Sequence, residues 1–293
     1  KRAPYFAWSV AVLANRKIIQ FVSAVLTNAN WRGFRDGTVY SGETKALCVP
    51  GLNCYSCPGA IGSCPIGSLQ SSLSGFIPQI PFYVLGLIVL FGLLFGRVVC
   101  GFLCPFGFFQ ELLYKLPVPK LGKSSFTRAL TGMKYFFLAA VFLGPLLMYA
   151  IIGLGEPVFC KYICPAGTIE GAAPLFAMNE KLRGAAGWLT LWKGILAGLM
   201  ILTAAVIFRP FCRFICPLGA IYGVFNKYAL TGIHVDQSRC IACGRCAAVC
   251  KSDISIAGDK ECISCGDCVR NCPVGAIYMK KAVVLQHKED ENV

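Results

Sequence analysis

An all-α polytopic membrane bundle of about four transmembrane helices, joined to a small α+β domain, is the fold this sequence predicts. Three observations predict it. Of 293 residues 56% are hydrophobic and only 14% charged, a balance that excludes an ordinary soluble protein. Three apolar stretches, 76–96, 135–155 and 186–208, are long enough to cross roughly 30 Å of hydrocarbon. Beyond the last of them, eight of the eighteen cysteines fall within residues 240–272, at spacings that suit metal–thiolate loops rather than membrane helices.

The stretch 76–96 is closed by Arg97, 135–155 is bracketed by Lys134 and Glu156, and 186–208 is closed by Arg209 with Lys193 intruding. A fourth candidate, 18–31, follows Arg16 and Lys17 and reaches spanning length if 5–13 joins it. The chain opens at Lys1 rather than Met, so residues upstream of it are expected. Lys and Arg concentrate before the first candidate, between 97 and 134, and after Arg209. By the positive-inside bias these segments face the cytoplasm. Loops 31–75 and 156–184 then face outward, which predicts a multi-pass protein of the cytoplasmic (inner) membrane. The division expected is a transmembrane domain over 1–230, a metal-binding domain over 231–281 and a tail over 282–293.

Residues 240–272 contain Cys240, Cys243, Cys246 and Cys250, then Cys262, Cys265, Cys268 and Cys272 before Pro273. This is C-x2-C-x2-C-x3-C twice over, the run that binds [4Fe–4S] clusters in bacterial two-cluster ferredoxins, where each fourth cysteine serves the other cluster. Carried over, one cluster takes Cys240, Cys243, Cys246 and Cys272, and the other takes Cys262, Cys265, Cys268 and Cys250. Gly244 and Gly266 follow each second cysteine, where backbone wraps the core. Lys251 stands where the first run would carry Pro, which predicts a more polar surround. Segments 253–257 and 276–279 read as the short strands of this domain. Zinc is the competing reading of C-x2-C pairs, and the double run speaks against it.

Three near-copies of one motif follow span ends or short loops: CGFLCPFG from Cys100, CKYICPAG from Cys160 and CRFICPLG from Cys212. Pro after the second cysteine suits a first helical turn. It puts Cys104, Cys164 and Cys216 at helix N-termini, where free N–H groups favour anionic sulfur. Cys100, Cys104, Cys212 and Cys216 share the predicted cytoplasmic face and are expected to hold a third [4Fe–4S] cluster. On the other face lie Cys48, Cys54, Cys57, Cys64, Cys160 and Cys164. A fourth cluster on Cys57, Cys64, Cys160 and Cys164 is expected there, with Cys48 and Cys54 free to form a disulfide. Cys54 in place of Cys57 or Cys64, two clusters sharing the six, and disulfides alone remain alternatives. Lys193 is expected to meet such a cluster or to snorkel.

Spans ending in Cys-x-x-x-Cys-Pro, followed by a double ferredoxin run, resemble the NapH, NosR and CcoG membrane polyferredoxin family. The start at residues 16–20, Arg-Lys-Ile-Ile-Gln, is also similar. The resemblance leaves out loop 31–75; the third motif copy and the 48–64 group exceed the usual pattern. It implies the electron-transfer subunit of an oxidoreductase complex, passing electrons between a cytoplasmic donor or acceptor and a membrane or extracytoplasmic partner such as a flavin or cytochrome protein. A membrane reductase acting on quinone or a metal ion, as in CcoG, and a redox sensor or assembly factor are the alternatives. The two histidines, His234 and His287, lie outside the apolar stretches, so no haem held by two histidines is expected within this chain. No basic stretch with interleaved aromatics suggests nucleic acid, despite the net charge of +14. Across two membrane faces about 30 Å apart, a relay of clusters alone is expected to need a bridging cofactor or quinone.

Overall fold

The computed structural model describes residues 6–184, 186–252 and 254–280. It is mostly helical, with a single two-stranded sheet among the described residues. The helices are α1 (Phe6–Ala14), α2 (Arg16–Thr27), α3 (Trp31–Asp36), α4 (Pro65–Leu73), α5 (Phe82–Phe95), α6 (Val98–Phe102), α7 (Pro105–Leu113), α8 (Ser125–Leu130) and α9 (Met133–Ile152). Two π-helical turns, Phe159–Ile163 and Gly167–Ala172, lead to α10 (Ala173–Met178), α11 (Glu180–Gly184), α12 (Trp188–Val206), α13 (Pro210–Phe214) and α14 (Pro217–Phe225). The C-terminal part holds β1 (Gly232–Val235), α15 (Arg245–Val249), α16 (Asp267–Asn271) and β2 (Ile277–Lys280).

Two helical segments have the length and apolarity to cross a membrane, Ser125–Ile152 and Trp188–Val206. The 20 residues of α9 span about 30 Å at 1.5 Å per residue. Outward-facing residues on both are apolar: Phe136, Leu143, Leu147 and Ile151 on α9, and Leu191, Ile195, Leu199 and Leu202 on α12 are all exposed. Their spacing of three, four or seven makes a continuous greasy stripe on each helix. Large exposed apolar surfaces of this kind mark contact with lipid or another protein.

The other two expected crossings come out differently. In 76–96 the helix begins only at Phe82, because Pro78 and Pro81 fix an extended lead-in. The resulting 14-residue α5 is about 21 Å long, short of a full crossing. The segment 6–31 does not form one helix. It breaks between α1 and α2 at Asn15, and α2 buries Arg16 and Gln20 while packing on α6 and α7. Residue 5 lies outside the described residues.

Two apolar cores adjoin. The larger gathers Cys48, Leu52, Cys64, Cys100, Cys104, Cys164 and Cys216 with Phe106, Phe211, Tyr222 and Ile263. The smaller packs Ile233, Cys262, Cys268, Val269, Ile277 and Met279 of the C-terminal part against Leu13 of α1 and Val98 and Phe102 of α6. There β2 pairs antiparallel with β1, Ile233 opposite Met279. The strand expected at 253–257 does not form: residues 254–257 are irregular, and residue 253 lies outside the described residues. The edge of β2 is taken instead by β1, whose Ile233 joins the same core.

Gly101 fixes how the domain seats. A Cβ there would lie 2.1 Å from the Ile263 carbonyl oxygen, a backbone atom with no freedom to swing away. Gly101→Ala is therefore expected to pry residues 258–266 off α6. Amide hydrogen exchange in that loop should rise at least tenfold relative to β1 and β2; unchanged protection would sink the prediction.

Candidate functional site

The central site is built from two matching turns. Cys104 and Cys216 are the N-caps of α7 and α14, each followed by Pro at the first helical position. The main-chain N–H groups of Gly107 and Gly219 donate to the Cys104 and Cys216 sulfurs, both at 3.4 Å. Gln110 Nε2 donates to Cys212 Sγ at 3.1 Å. All four cysteines, Cys100, Cys104, Cys212 and Cys216, are buried. Burial pushes the Cys104, Cys212 and Cys216 thiols above their ordinary range. The other sulfurs of the set push Cys104 and Cys216 further the same way. Thiols so placed ionise readily only around a cationic core.

Two arginines cross-brace this site. Arg97, three residues before Cys100, donates from Nη2 to the Cys212 carbonyl at 3.3 Å. Arg209, three residues before Cys212, donates to the Cys100 carbonyl. Each reaches over to the opposite repeat. Arg97 is anchored by Glu261 at 2.5 Å, and Glu261 also holds Lys134. Arg209 is anchored by Glu111, which also takes Arg16 at 2.9 Å and Lys17. Hydropathy alone marks Arg97 and Arg209 as span-closing charges and does not reveal these buried ion networks. The signal was available: Arg-x-x-Cys-x-x-x-Cys-Pro occurs at 97–105 and 209–217, while Pro157 occupies that place before Cys160.

In the C-terminal domain the charges of Cys262, Cys265, Cys250 and Cys246 all act on Cys268, after burial itself. Burial raises the Cys265 thiol to about 11. Cys246 and Cys272 pack on the core that holds Cys262 and Cys268, while Cys240 and Cys243 are exposed. The two runs share one loop geometry. Ala242 and Ser264 precede the second cysteine, and Gly244 and Gly266 follow it, all four at positive φ between 52° and 84°. That left-handed pair curls the backbone around each loop. Lys251 is half exposed, 3.6 Å from Asp267, so the surround of Cys250 is polar on that side.

At the remaining site Cys54, Cys64, Cys160 and Cys164 line one cavity of about 570 Å³, together with Leu52, Lys193 and several serines. Of the four cysteines expected here, Cys57 lies outside the cavity: its sulfur faces Asn28 Oδ1 at 3.5 Å. Cys54 stands in its place, fixed by its N–H donating to Glu170 at 2.7 Å. Burial drives Cys64 and Cys164 up to about 12 and Glu170 up to about 7. Cys48 donates to Ser68 at 3.4 Å and is not among the residues lining the cavity. Lys193 Nζ donates to the Cys160 carbonyl at 3.0 Å, against this cavity.

The sites touch one another. Leu52 lines the Cys54 cavity, and its carbonyl lies 3.8 Å from Cys104 Sγ. Gly51 packs on Cys104, whose Cα would stand 2.8 Å from a Cβ at 51. Tyr222, held by its hydroxyl on the Pro50 carbonyl at 2.9 Å, feels the charge of Cys100, Cys104 and Cys216 on one side and Cys64 on the other. On the far side Ile263, between Cys262 and Cys265, belongs to the same core as Cys100. The loop 48–54 thus folds inward against the central site, and the two are not separated by the width of a membrane.

The donor set is all thiol, the ligand type of iron–sulfur clusters, with Cys104 and Cys216 receiving main-chain N–H donors at helix N-termini. Among the described residues no three His, Cys, Asp or Glu side chains are drawn together as a single-ion site.

Comparison with known proteins agrees. A family described as 4Fe-4S binding domain matches residues 77–124, 135–179 and 188–233. A second family of the same description matches 233–254 and 259–278. The chain is 29% identical over 239 residues to YccM of Escherichia coli, a protein named for electron transport, covering 75% of this chain and 63% of YccM. It is 27% identical to the methylamine utilization ferredoxin-type protein MauN of Methylorubrum extorquens, covering 64% of this chain and 59% of MauN. It is 28% identical to the ferredoxin-type protein NapH of Haemophilus influenzae, covering 56% of this chain and 51% of NapH. The match spans less than two thirds of each relative's length. No solved structure matches. With three matches to one 4Fe-4S binding domain and two to another, this chain carries 4Fe-4S binding domains and is similar to the ferredoxin-type proteins NapH and MauN.

Proposed function

We propose that this chain is a membrane-integral electron-transfer subunit whose four thiolate sites form one relay. The order is Cys240, Cys243, Cys246 and Cys272; then Cys250, Cys262, Cys265 and Cys268; then Cys100, Cys104, Cys212 and Cys216; then Cys54, Cys64, Cys160 and Cys164. Each [4Fe–4S] cluster, when bound, supplies reversible one-electron transfer. The observation that carries the reading is contact from site to site: Cys246 of the first acts on Cys268 of the second, Ile263 and Gly101 join the second to the third, and Leu52 joins the third to the fourth. The protein's part is to bury the sulfurs, hold them with Gly107, Gly219 and Gln110 donors, and exclude water between neighbouring sites.

The inner membrane and a cytoplasmic C-terminal domain are part of this reading. In its support, segment 97–134 reaches that domain through Lys123 on Ala248, at 3.2 Å, and Arg128 on Ser255. Segments 31–75 and 156–184 meet each other through Glu170 on Cys54. The partners are other subunits of a membrane redox complex, with an extracytoplasmic flavin or cytochrome protein at the outward site. A second reading, direct exchange with quinone, is favoured by an apolar groove of about 450 Å³ lined by Ile18, Val22, Leu26, Pro50, Leu103 and Pro105, beside Cys104.

Iron and acid-labile sulfide on the purified holoprotein, with EPR, test the relay. About 16 irons per chain are expected, four per cubane. About 12 irons would remove one station and sink the four-cluster relay. Rapid reduction of a water-soluble quinone by the pure protein alone would favour the second reading.

A further inference from the structure

We propose that Arg97 and Arg209 make the central cluster the highest-potential station of the relay, the place where an electron rests between the ferredoxin domain and the outward site. This rests on the reading that Cys100, Cys104, Cys212 and Cys216 hold a cluster. Four thiolates on a dicationic core form a dianion, and one added electron makes a trianion. In a dry site that extra charge is costly unless positive charge stands beside it.

The central site is supplied with the most deeply buried share of such charge, while Arg97 and Arg16 also act on Cys262 and Cys265 of the neighbouring site. Around Glu111 the guanidiniums of Arg16 and Arg209 outnumber the one carboxylate, before Lys17 is counted. Around Glu261, Arg97 and Lys134, both 0% exposed at the side chain, outnumber it again. Both arginines then reach the cysteine carbonyls of the cluster loops themselves. Three donors to sulfur, from Gly107, Gly219 and Gln110, act in the same direction. At the outward site the cavity is lined by Lys193 on Cys160, Lys45 and the partly exposed Lys161, the last paired with Glu156, and the carboxylate Glu170 stands on Cys54. In the ferredoxin domain Asp267 meets Arg270 and Lys251 with about half of each basic side chain exposed, where water screens the charges.

Cys250, Cys262, Cys265 and Cys268 would hold the cluster that gives up one electron, and Cys100, Cys104, Cys212 and Cys216 the one that takes it up, with no atom moving. Arg97 and Arg209 act as positioning charges, since neither ligates iron. Because each holds the opposite repeat, the same two side chains set both the fit of the cluster and its readiness to accept charge.

The test is an EPR-monitored redox titration of the detergent-solubilised holoprotein. The central signal is identified as the one lost, with about four irons, in Cys216→Ala; retention of that signal and of the iron would refute the parent reading, not this one. In the wild type the central signal should reduce at the highest potential of the set. Arg209→Gln should shift its reduction equilibrium at least tenfold toward the oxidised form, about 59 mV for one electron. Arg209→Lys should shift it far less, and Glu111→Gln should shift it the opposite way. Should Arg209→Gln lose iron, Arg97→Gln against Arg97→Lys reads the same effect. A central cluster that titrates below its neighbours, or glutamine variants at Arg209 and Glu111 that move it in the same direction, would overturn the proposal.

Discussion

Glu261→Ala is expected to cost about 3–5 kcal/mol of stability and to loosen the C-terminal domain from the helices. The reason is burial: the substitution leaves Arg97 and Lys134 without a counter-charge in the interior, and stranding a buried charge is far costlier than losing a surface pair. Glu261 also stands next to Cys262, so the same carboxylate ties a cluster loop to α6 and α9. Burial works against its ionised form, yet Arg97 and Lys134 hold its carboxyl below the usual range. A carboxyl with a lowered folded pKa stabilises fully above its unfolded value of about 4.3. That contribution is lost as pH falls below it. Urea unfolding of the holoprotein at pH 7 and below about pH 4 should show the wild type losing part of its margin on acidification, and the variant losing less. As a control, Arg239→Ala breaks the partly exposed pair with Asp236 and should cost at most about 1 kcal/mol. Equal effects at the two sites would contradict the buried network as a determinant of docking.

The second large effect separates Cys54 from Cys57. Cys54→Ala should remove about four of about 16 irons and the outward EPR signal, because it takes away one wall of the cavity shared with Cys64, Cys160 and Cys164. Cys57→Ala should keep the iron and cost about 1 kcal/mol, the worth of a weak contact to Asn28. The reverse pattern, iron kept without Cys54 and lost without Cys57, would reassign the site.

How much of this could be read from residues alone differs from site to site. Cysteine spacing and the prolines after Cys104 and Cys216 carry their own structure, because a helix N-cap is a local event; both residues are caps in the folded chain. Cys54 against Cys57 is not local. The choice is made by Glu170, 116 residues away, and by Asn28, 29 residues the other way. Hydropathy found α9 and α12 but overran α5, since a window over 76–96 counts Phe76 and Ile77 without registering that Pro78 and Pro81 bar the helix from starting there. The pairing partner of β2 was missed because β1 lies before the cysteine run, outside the pattern that drew attention. Most instructive is the expected gap of about 30 Å between faces. It assumed that loop 48–64 stays at the surface, whereas Gly51 and Leu52 pass directly over Cys104.

The reciprocal arginines bear on how the protein is made. Arg97 grips a carbonyl 115 residues later in the chain, and Arg209 one 109 residues earlier. Neither half of the central site can take its final shape without the other, and contacts of such long sequence separation are slow to form. A chain truncated before Arg209 would lack Cys212, Cys216 and one of the two braces, and its central site would stay incomplete.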